Sequence, residues 1–199
     1  MPFFELSHIS EALLKEKGSK FYAYAYPVKT REEVEACLLV LRKKYHDARH
    51  YCYAFRLGKM GETSFATDDG EPSHTAGDPI LGQIRSRNLT NVLVVVIRYF
   101  GGTLLGVRGL IDAYKSAAAE ALDNNVFTEI IPVFTIKITF PYEKTSEIQR
   151  VLHPFQATVL KASYEMECMQ ILQVPQKQEV ALRKALDMMP WEYEMVETE

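Results

Sequence analysis

An apolar run of six residues, Val92–Ile97, constrains the fold of this chain more than any other segment. Unbroken apolar runs of this length are typical of strands that are covered on both faces. The chain then passes through Gly101 and Gly102 into a segment where small residues recur at helical spacing: Ala113, Ala117, Ala118 and Ala121. The sequence therefore predicts a buried strand, a glycine turn and a helix that packs closely on its sheet.

Hydrophobic periodicity and turn residues predict several elements before the buried strand. They are a strand at 20–28, a helix at 31–46, strands at 50–57 and 62–67, and a helix at about 75–87. Thr30 and Glu33 have the capping-box spacing at the start of the first helix. Ser73 or Thr75 is the expected N-cap of the second helix. Strands and helices are thus mixed along the first half of the chain.

The second half has a different pattern. It predicts a strand at 129–140, a helix at 143–153, strands at 157–164 and 166–174, a helix from near Pro175 and a strand at 191–197. The order β-α-β-β-α-β is the ferredoxin-like arrangement. We therefore expect an α+β protein with two domains, at 1–126 and 127–199.

The glycine turn has a functional and a structural interpretation. A strand, a glycine turn and a helix together resemble a phosphate-binding loop. Neither G-x-G-x-x-G nor G-x-x-x-x-G-K-[ST] is present, however. The structural alternative is a tight turn at Gly101 and Gly102, with close helix packing at Gly106 and Gly109. We therefore predict no nucleotide cofactor.

Basic residues cluster on both sides of this turn. Between positions 85 and 115 there are five cations and one acid, Asp112: the cations are Arg85, Arg87, Arg98, Arg108 and Lys115. The whole chain has a net charge of −3, so a polyanion would have to bind a local patch of this kind. Arg98 ends an apolar strand, where a charge is costly unless it is paired or faces an anion. It either faces a ligand or pairs internally with Asp69, Glu71 or Asp112.

The segment DDGEPSHTAGDP at 68–79 is rich in acidic and turn-forming residues. Asp69, Glu71 and His74 could hold Mg²⁺ or act as a general acid and base on a small anionic substrate bound by Arg98. The alternative is that the aspartates and prolines set the turn geometry and the start of the next helix. No nucleophile with a base at fixed spacing is visible, so we predict no metal site and no catalytic residues.

The cysteines and the length of the longest apolar segment indicate where in the cell the protein is found. Cys37, Cys52 and Cys168 are far apart and odd in number, which does not suit a disulfide framework. No segment is apolar for long enough to span a bilayer, and the first residues predict no signal peptide. We therefore expect a cytoplasmic protein that does not bind membranes.

Two long segments resemble the signature of the IMPACT/YigZ family: DDGEPSHTAGDPILG at 68–82 and NVLVVVIRYFGGTLLGVRGLIDAYKSAA at 91–118. HDARHYCYAFRLG at 46–58 is also similar to that family. Two positions depart from it, because His74 and Arg108 stand where members often have glycine. The resemblance implies a first domain like the second domain of ribosomal protein S5. It implies a second, ferredoxin-like domain like the last domain of elongation factor G, as in bacterial members.

The resemblance also implies a role near translation, because eukaryotic members regulate translation by competing for the activator of a stress-response kinase. We therefore expect a binding protein that contacts RNA, the ribosome or a translation-related protein. The expected surface comprises Arg98, Gly101, Gly102, Arg108, Lys115, Asp69, Glu71, His74 and Thr75. The alternatives are an enzyme that uses Asp69, Glu71 and His74, and a pure protein–protein interaction module.

Overall fold

The buried strand predicted from the apolar run is present as β6 (Val92–Tyr99), the central strand of a five-stranded antiparallel sheet. The structure is a computed structural model that describes residues 2–189 and 192–196. The chain divides into two units, Met1–Ile130 and Ile131–Glu199, and β6 belongs to the first. The architecture is a mixture of helices and sheets in both units.

The first unit contains seven strands and three helices among its described residues. They are β1 (Phe3–Leu6), β2 (Ser10–Glu16), β3 (Ser19–Pro27), α1 (Arg31–Lys44), β4 (His50–Leu57), β5 (Thr63–Thr67), α2 (Gly77–Ser86), β6, α3 (Gly106–Asp123) and β7 (Phe127–Ile130). The strand order of the main sheet is β2-β3-β6-β4-β5. Each element predicted between 20 and 124 is therefore present, with ends shifted by a few residues.

Both faces of the main sheet are covered, which explains the unbroken apolar run. Along β6, Val92, Val94 and Val96 pack in the core beneath α2 and α3. The alternate residues, which include Val95, pack in the core beneath α1. Because successive side chains of a strand point to opposite faces, a strand between two helical layers must be apolar at every position. The polar exception on the α2 and α3 face is Arg98, two residues after Val96.

The second unit has the β-α-β-β-α-β order of helices and strands that the sequence predicts. It comprises β8 (Val133–Pro141), α4 (Thr145–Leu152), β9 (Thr158–Tyr164), β10 (Glu167–Pro175), α5 (Glu179–Asp187) and β11 (Glu192–Val196). The strands form one antiparallel sheet in the order β11-β8-β10-β9. Its core includes Ile136 and Phe140 on the sheet and Ile148 and Leu182 on the helices. The ends of the last predicted strand, 191 and 197, lie outside the described residues.

Three features of the fold differ from the sequence predictions. No strand was predicted at β1 or β2. The predicted strand at 129–140 is divided, and its first residues belong to β7, which pairs with β1. The first unit consequently ends at Ile130 rather than at 126. The predicted capping of α2 by Ser73 or Thr75 is also wrong, because the cap residue is Ala76 and the Thr75 hydroxyl donates to the carbonyl of Pro72.

Candidate functional site

Arg98 forms a buried ion pair at the end of β6. Its Nη1 lies 2.6 Å from Oε1 of Glu71, and the two side chains are only 7% and 4% exposed. The guanidinium carbon also lies 5.6 Å from the centroid of the Phe21 ring and 5.6 Å from that of Phe100. Internal pairing was one of the alternatives for Arg98, and Glu71 is the observed partner. The strand end therefore contains a neutralised pair rather than a free charge.

Glu71 is shared between Arg98 and the helix α3. The hydroxyl of Tyr114 donates to the same Oε1 at 2.8 Å, and the Cys52 thiol lies 3.3 Å from that hydroxyl. Burial raises the pKa of Tyr114 and also that of Cys52, so both stay protonated near neutral pH. A thiol held in this form is a poor nucleophile. The network thus joins β4, β6, α3 and the loop at 68–76, which we call the acidic loop, in one rigid base.

The acidic loop is held together by its own carboxylates. Asp68 accepts hydrogen bonds from the backbone N–H groups of His74, Ala76 and Gly77 at 2.8, 2.9 and 2.9 Å. Burial raises the pKa of Asp68, but the three backbone donors outweigh that effect and the net pKa is lowered. The Asp68 side chain therefore caps the N-terminus of α2, although it lies nine residues before Gly77 in the sequence. The hydroxyl residues next to the helix, Ser73 and Thr75, do not cap it.

The remaining polar residues of the loop have separate partners. Asp69 accepts a hydrogen bond from the backbone N–H of Tyr51 at 2.7 Å, and Thr75 is buried. His74 is exposed, and its Nδ1 lies 2.6 Å from Asp78, whose hydrogen bond raises the pKa of His74. Asp69, Glu71 and His74 therefore do not converge on one point. Among residues 2–189 and 192–196, no group of three or more His, Cys, Asp or Glu side chains is placed to hold a metal ion.

The glycines of the turn have two different structural reasons. A Cβ on Gly101 would lie 1.9 Å from the carbonyl carbon of Gly18, so only glycine allows this contact with the β2–β3 turn. Gly102 has a φ of +84°, which other residues rarely adopt. The predicted packing role of Gly106 is wrong, because a Cβ there would meet no atom within 4 Å.

Beyond this rigid base, the turn presents large apolar side chains to solvent. Phe100 is 57% exposed, Leu104 85% and Val107 60%. Arg108 and Lys115 are exposed on the following helix and form no ion pair with the described residues. We call Phe100–Arg108 together with Lys115 the turn surface. Its apolar residues were not predicted, although the sequence shows apolar side chains inside a glycine turn and outside any helical or strand pattern.

The predicted basic cluster is only partly available. Arg87 pairs with Asp123 at 2.6 Å, and Arg98 pairs with Glu71. Arg85 donates to the hydroxyl of Ser64 at 3.1 Å. Two of the five cations are thus neutralised, and Arg108 and Lys115 are the ones that flank the exposed apolar residues.

The fold and the site define a two-unit α+β protein with a rigidly supported glycine turn. Comparisons with known proteins identify the family of this chain. The family model described as the Impact N-terminal domain matches residues 17–122, which is more than half of the chain. The chain belongs to the IMPACT family. No helix among the described residues is long and apolar enough to cross a membrane.

The relatives differ in how much of their length is matched. An IMPACT family member of Haemophilus influenzae is 30% identical over 164 residues, covering 81% of this chain and 79% of that protein. The IMPACT family member YvyE of Bacillus subtilis is 35% identical over 122 residues. These residues cover 61% of this chain and 56% of the length of YvyE. A crystal structure of a hypothetical protein has a TM-score of 0.68, with 24% identity and coverage of 100% and 98% of the two chains. That likeness concerns the fold alone.

Proposed function

We propose that this protein is a translation-associated binding protein that contacts RNA, the ribosome or a ribosome-bound protein through the turn surface. The observation that carries the proposal is the exposure of Leu104, at 85%, on a turn supported by a buried ion pair. Binding residues are often found on loops that a rigid scaffold positions. Large apolar side chains that stay in solvent beside unpaired cations are suited to a contact that removes them from water.

Family membership is the basis for placing this contact near translation. The resemblance implies regulation of translation in eukaryotic members, and relatives include the Protein IMPACT of Mus musculus, 37% identical over 98 residues. That match covers 47% of this chain and 30% of the mouse protein, so the partner of the present chain is part of the proposal. We propose a cytoplasmic setting for the same reason.

The fold assignments implied by the resemblance are further proposals. We propose that the first unit has the fold of the second domain of ribosomal protein S5, and that the second unit is ferredoxin-like, as in elongation factor G. The β-α-β-β-α-β order of the second unit and its strand order support the latter. Both template domains come from the translation apparatus, which agrees with the proposed function by analogy.

Co-sedimentation with purified bacterial ribosomes tests this proposal. We expect wild-type protein to pellet with ribosomes, and Leu104→Ser combined with Val107→Ser to abolish pelleting. Leu160→Ser is the matched control, because Leu160 is a half-exposed leucine in the second unit. Wild-type protein that stays in the supernatant with ribosomes and with ribosomal RNA would contradict the proposal.

The cations of the turn surface distinguish the kind of partner. If the contact is to RNA, Arg108→Ala with Lys115→Ala reduces binding and lowers its dependence on salt, because each phosphate contact releases counterions. If the contact is to a protein, the apolar variant is the more damaging of the two.

A further inference from the structure

A second feature lies at the same end of the main sheet, beside the start of β4 and the end of β6. A cavity of about 320 Å³ is lined by residues 47–50 and 98–100. All of its lining belongs to the first unit. The volume is at the small end of the range for ligand pockets in proteins. The chemistry of the lining indicates what such a pocket would accept.

Arg98 lines this cavity and has an unused hydrogen-bond donor. Nη1 is taken by Glu71, whereas Nε is buried and has no hydrogen-bond partner among the described residues. The rings of Phe21 and Phe100 lie near the guanidinium, which directs polar partners to its edge. Buried donors are nearly always paired in folded proteins. An arginine in this condition is well suited to an oxyanion, which its planar edge can bind through two N–H groups.

His50 is held opposite Arg98 with one nitrogen free. The two residues are direct partners across β4 and β6, so their side chains share one face of the sheet. Nδ1 of His50 lies 3.0 Å from the carbonyl oxygen of Asp69. Since a carbonyl oxygen can only accept, the proton resides on Nδ1, and Nε2 is left for another partner. A nitrogen oriented in this way can bond to a protonated ligand oxygen or, as an imidazolium, donate to an anion.

The unused donors around the cavity suit an anion. Arg49 is exposed at its rim and forms no ion pair with the described residues. Asp47 is the opposing charge, but its carboxylate accepts a hydrogen bond from the hydroxyl of Tyr99 at 2.5 Å. Glu71 is already bound by Arg98. Two arginines and one histidine therefore lie beside two carboxylates, Asp47 and Glu71, and both carboxylates already have hydrogen-bond partners.

We propose that this cavity binds a phosphate monoester that carries a flat ring. The lining combines Arg98 and Arg49 with Nε2 of His50, and this set suits a phosphate, whose oxygens can include one that carries a proton, better than a carboxylate. The space exceeds that of phosphate alone, and the exposed ring of Phe100 offers a surface for a planar group. The inference goes beyond the proposed function, because it concerns a small ligand and does not require Leu104 or Val107.

Titration calorimetry with phenyl phosphate, inorganic phosphate and benzoate tests the proposal. We expect phenyl phosphate to bind with a dissociation constant at or below about 1 mM. Benzoate, which has the same ring and a carboxylate, should bind at least about tenfold more weakly. Absence of saturable binding by phenyl phosphate would overturn the proposal. Equal affinity for benzoate would overturn the assignment of a phosphate group.

Variants locate the binding in this cavity. Arg98→Lys keeps a charge for Glu71 but removes the planar edge, and should weaken phenyl phosphate binding by about tenfold. Phe100→Ala should weaken binding of phenyl phosphate and leave that of inorganic phosphate unchanged. Arg49→Ala changes an exposed side chain, so it tests the site even if Arg98→Lys fails to fold. Arg150→Ala in the second unit is the control. Affinities equal to wild type in both Arg49→Ala and Phe100→Ala would overturn the placement.

Discussion

At the scale of residues, the charge of Arg98 is matched by a carboxylate inside the protein. A buried guanidinium is stabilised here by Glu71, and Tyr114 completes the hydrogen bonds of the carboxylate. The sequence showed that Arg98 needed a partner, because it follows an apolar run. It named Glu71 only as one of three possible partners, since the two residues are separated by 27 positions and meet only when the acidic loop folds back over the sheet end.

Removing Glu71 should therefore destabilise the first unit strongly. Glu71→Ala leaves Arg98 buried without its partner, and we expect a loss of about 3–5 kcal/mol in the free energy of unfolding. Urea denaturation followed by circular dichroism measures it. Lys115→Ala is the control and should change stability by no more than about 0.5 kcal/mol, because Lys115 is exposed. If the two variants are equally stable, the pair does not anchor the loop.

The cysteines give a second prediction at this scale. Cys52 and Cys168 are fully buried, and burial raises the pKa of Cys52, whereas Cys37 is partly accessible. Because the thiolate is the reactive form, an aromatic disulfide reagent should label Cys37 first in the native protein. Cys52 and Cys168 should react only when the protein unfolds. Labelled peptides identified by mass spectrometry decide the order, and early labelling of Cys52 would show that the network around Tyr114 opens.

At the scale of elements, local sequence rules predicted most of the first unit and failed where partners are distant. The predicted N-cap of α1 is present, since the Thr30 hydroxyl accepts a hydrogen bond from the backbone N–H of Glu33, while the Glu33 carboxylate accepts one from the backbone N–H of Lys29. The cap of α2 comes from Asp68, which no rule based on adjacent residues selects. The strand β2 was overlooked, although it forms a local hairpin with β3. The strand β1 was also overlooked, because it is short and pairs with β7, more than a hundred residues away. Non-local pairing of this kind leaves little trace in periodicity.

The remote cap predicts a defined dependence on pH. Asparagine has one acceptor oxygen where Asp68 uses two, so Asp68→Asn should cost about 1–2 kcal/mol at neutral pH. The pKa of Asp68 is lowered in the folded state. Its contribution is therefore complete above the unfolded pKa of about 3.9 and is lost as the pH falls through the folded value.

Denaturation at several pH values measures this contribution. The difference between wild type and Asp68→Asn should be constant from about pH 7 to pH 5 and should shrink below about pH 4. Asp112→Asn is the control, because Asp112 is exposed and forms no ion pair with the described residues. A difference that grows on acidification would contradict the capping role.

At the scale of the molecule, each unit has its own core. The two cores on either side of the main sheet draw on residues before 130, and the third draws on residues after it. A fragment of residues 1–130 should therefore fold alone and unfold cooperatively, as measured by thermal circular dichroism. A fragment without a cooperative transition would show that the first unit depends on the second.

The most direct test of the proposed binding surface is photo-crosslinking from position 104. A photo-reactive amino acid replaces Leu104, or Leu160 as the control, and each protein is irradiated with purified bacterial ribosomes. We expect position 104 to crosslink to ribosomal RNA or to a specific ribosomal protein, and position 160 to give no such product. A protein that pellets with ribosomes but crosslinks equally from both positions, or from neither, would contradict the assignment of the turn surface.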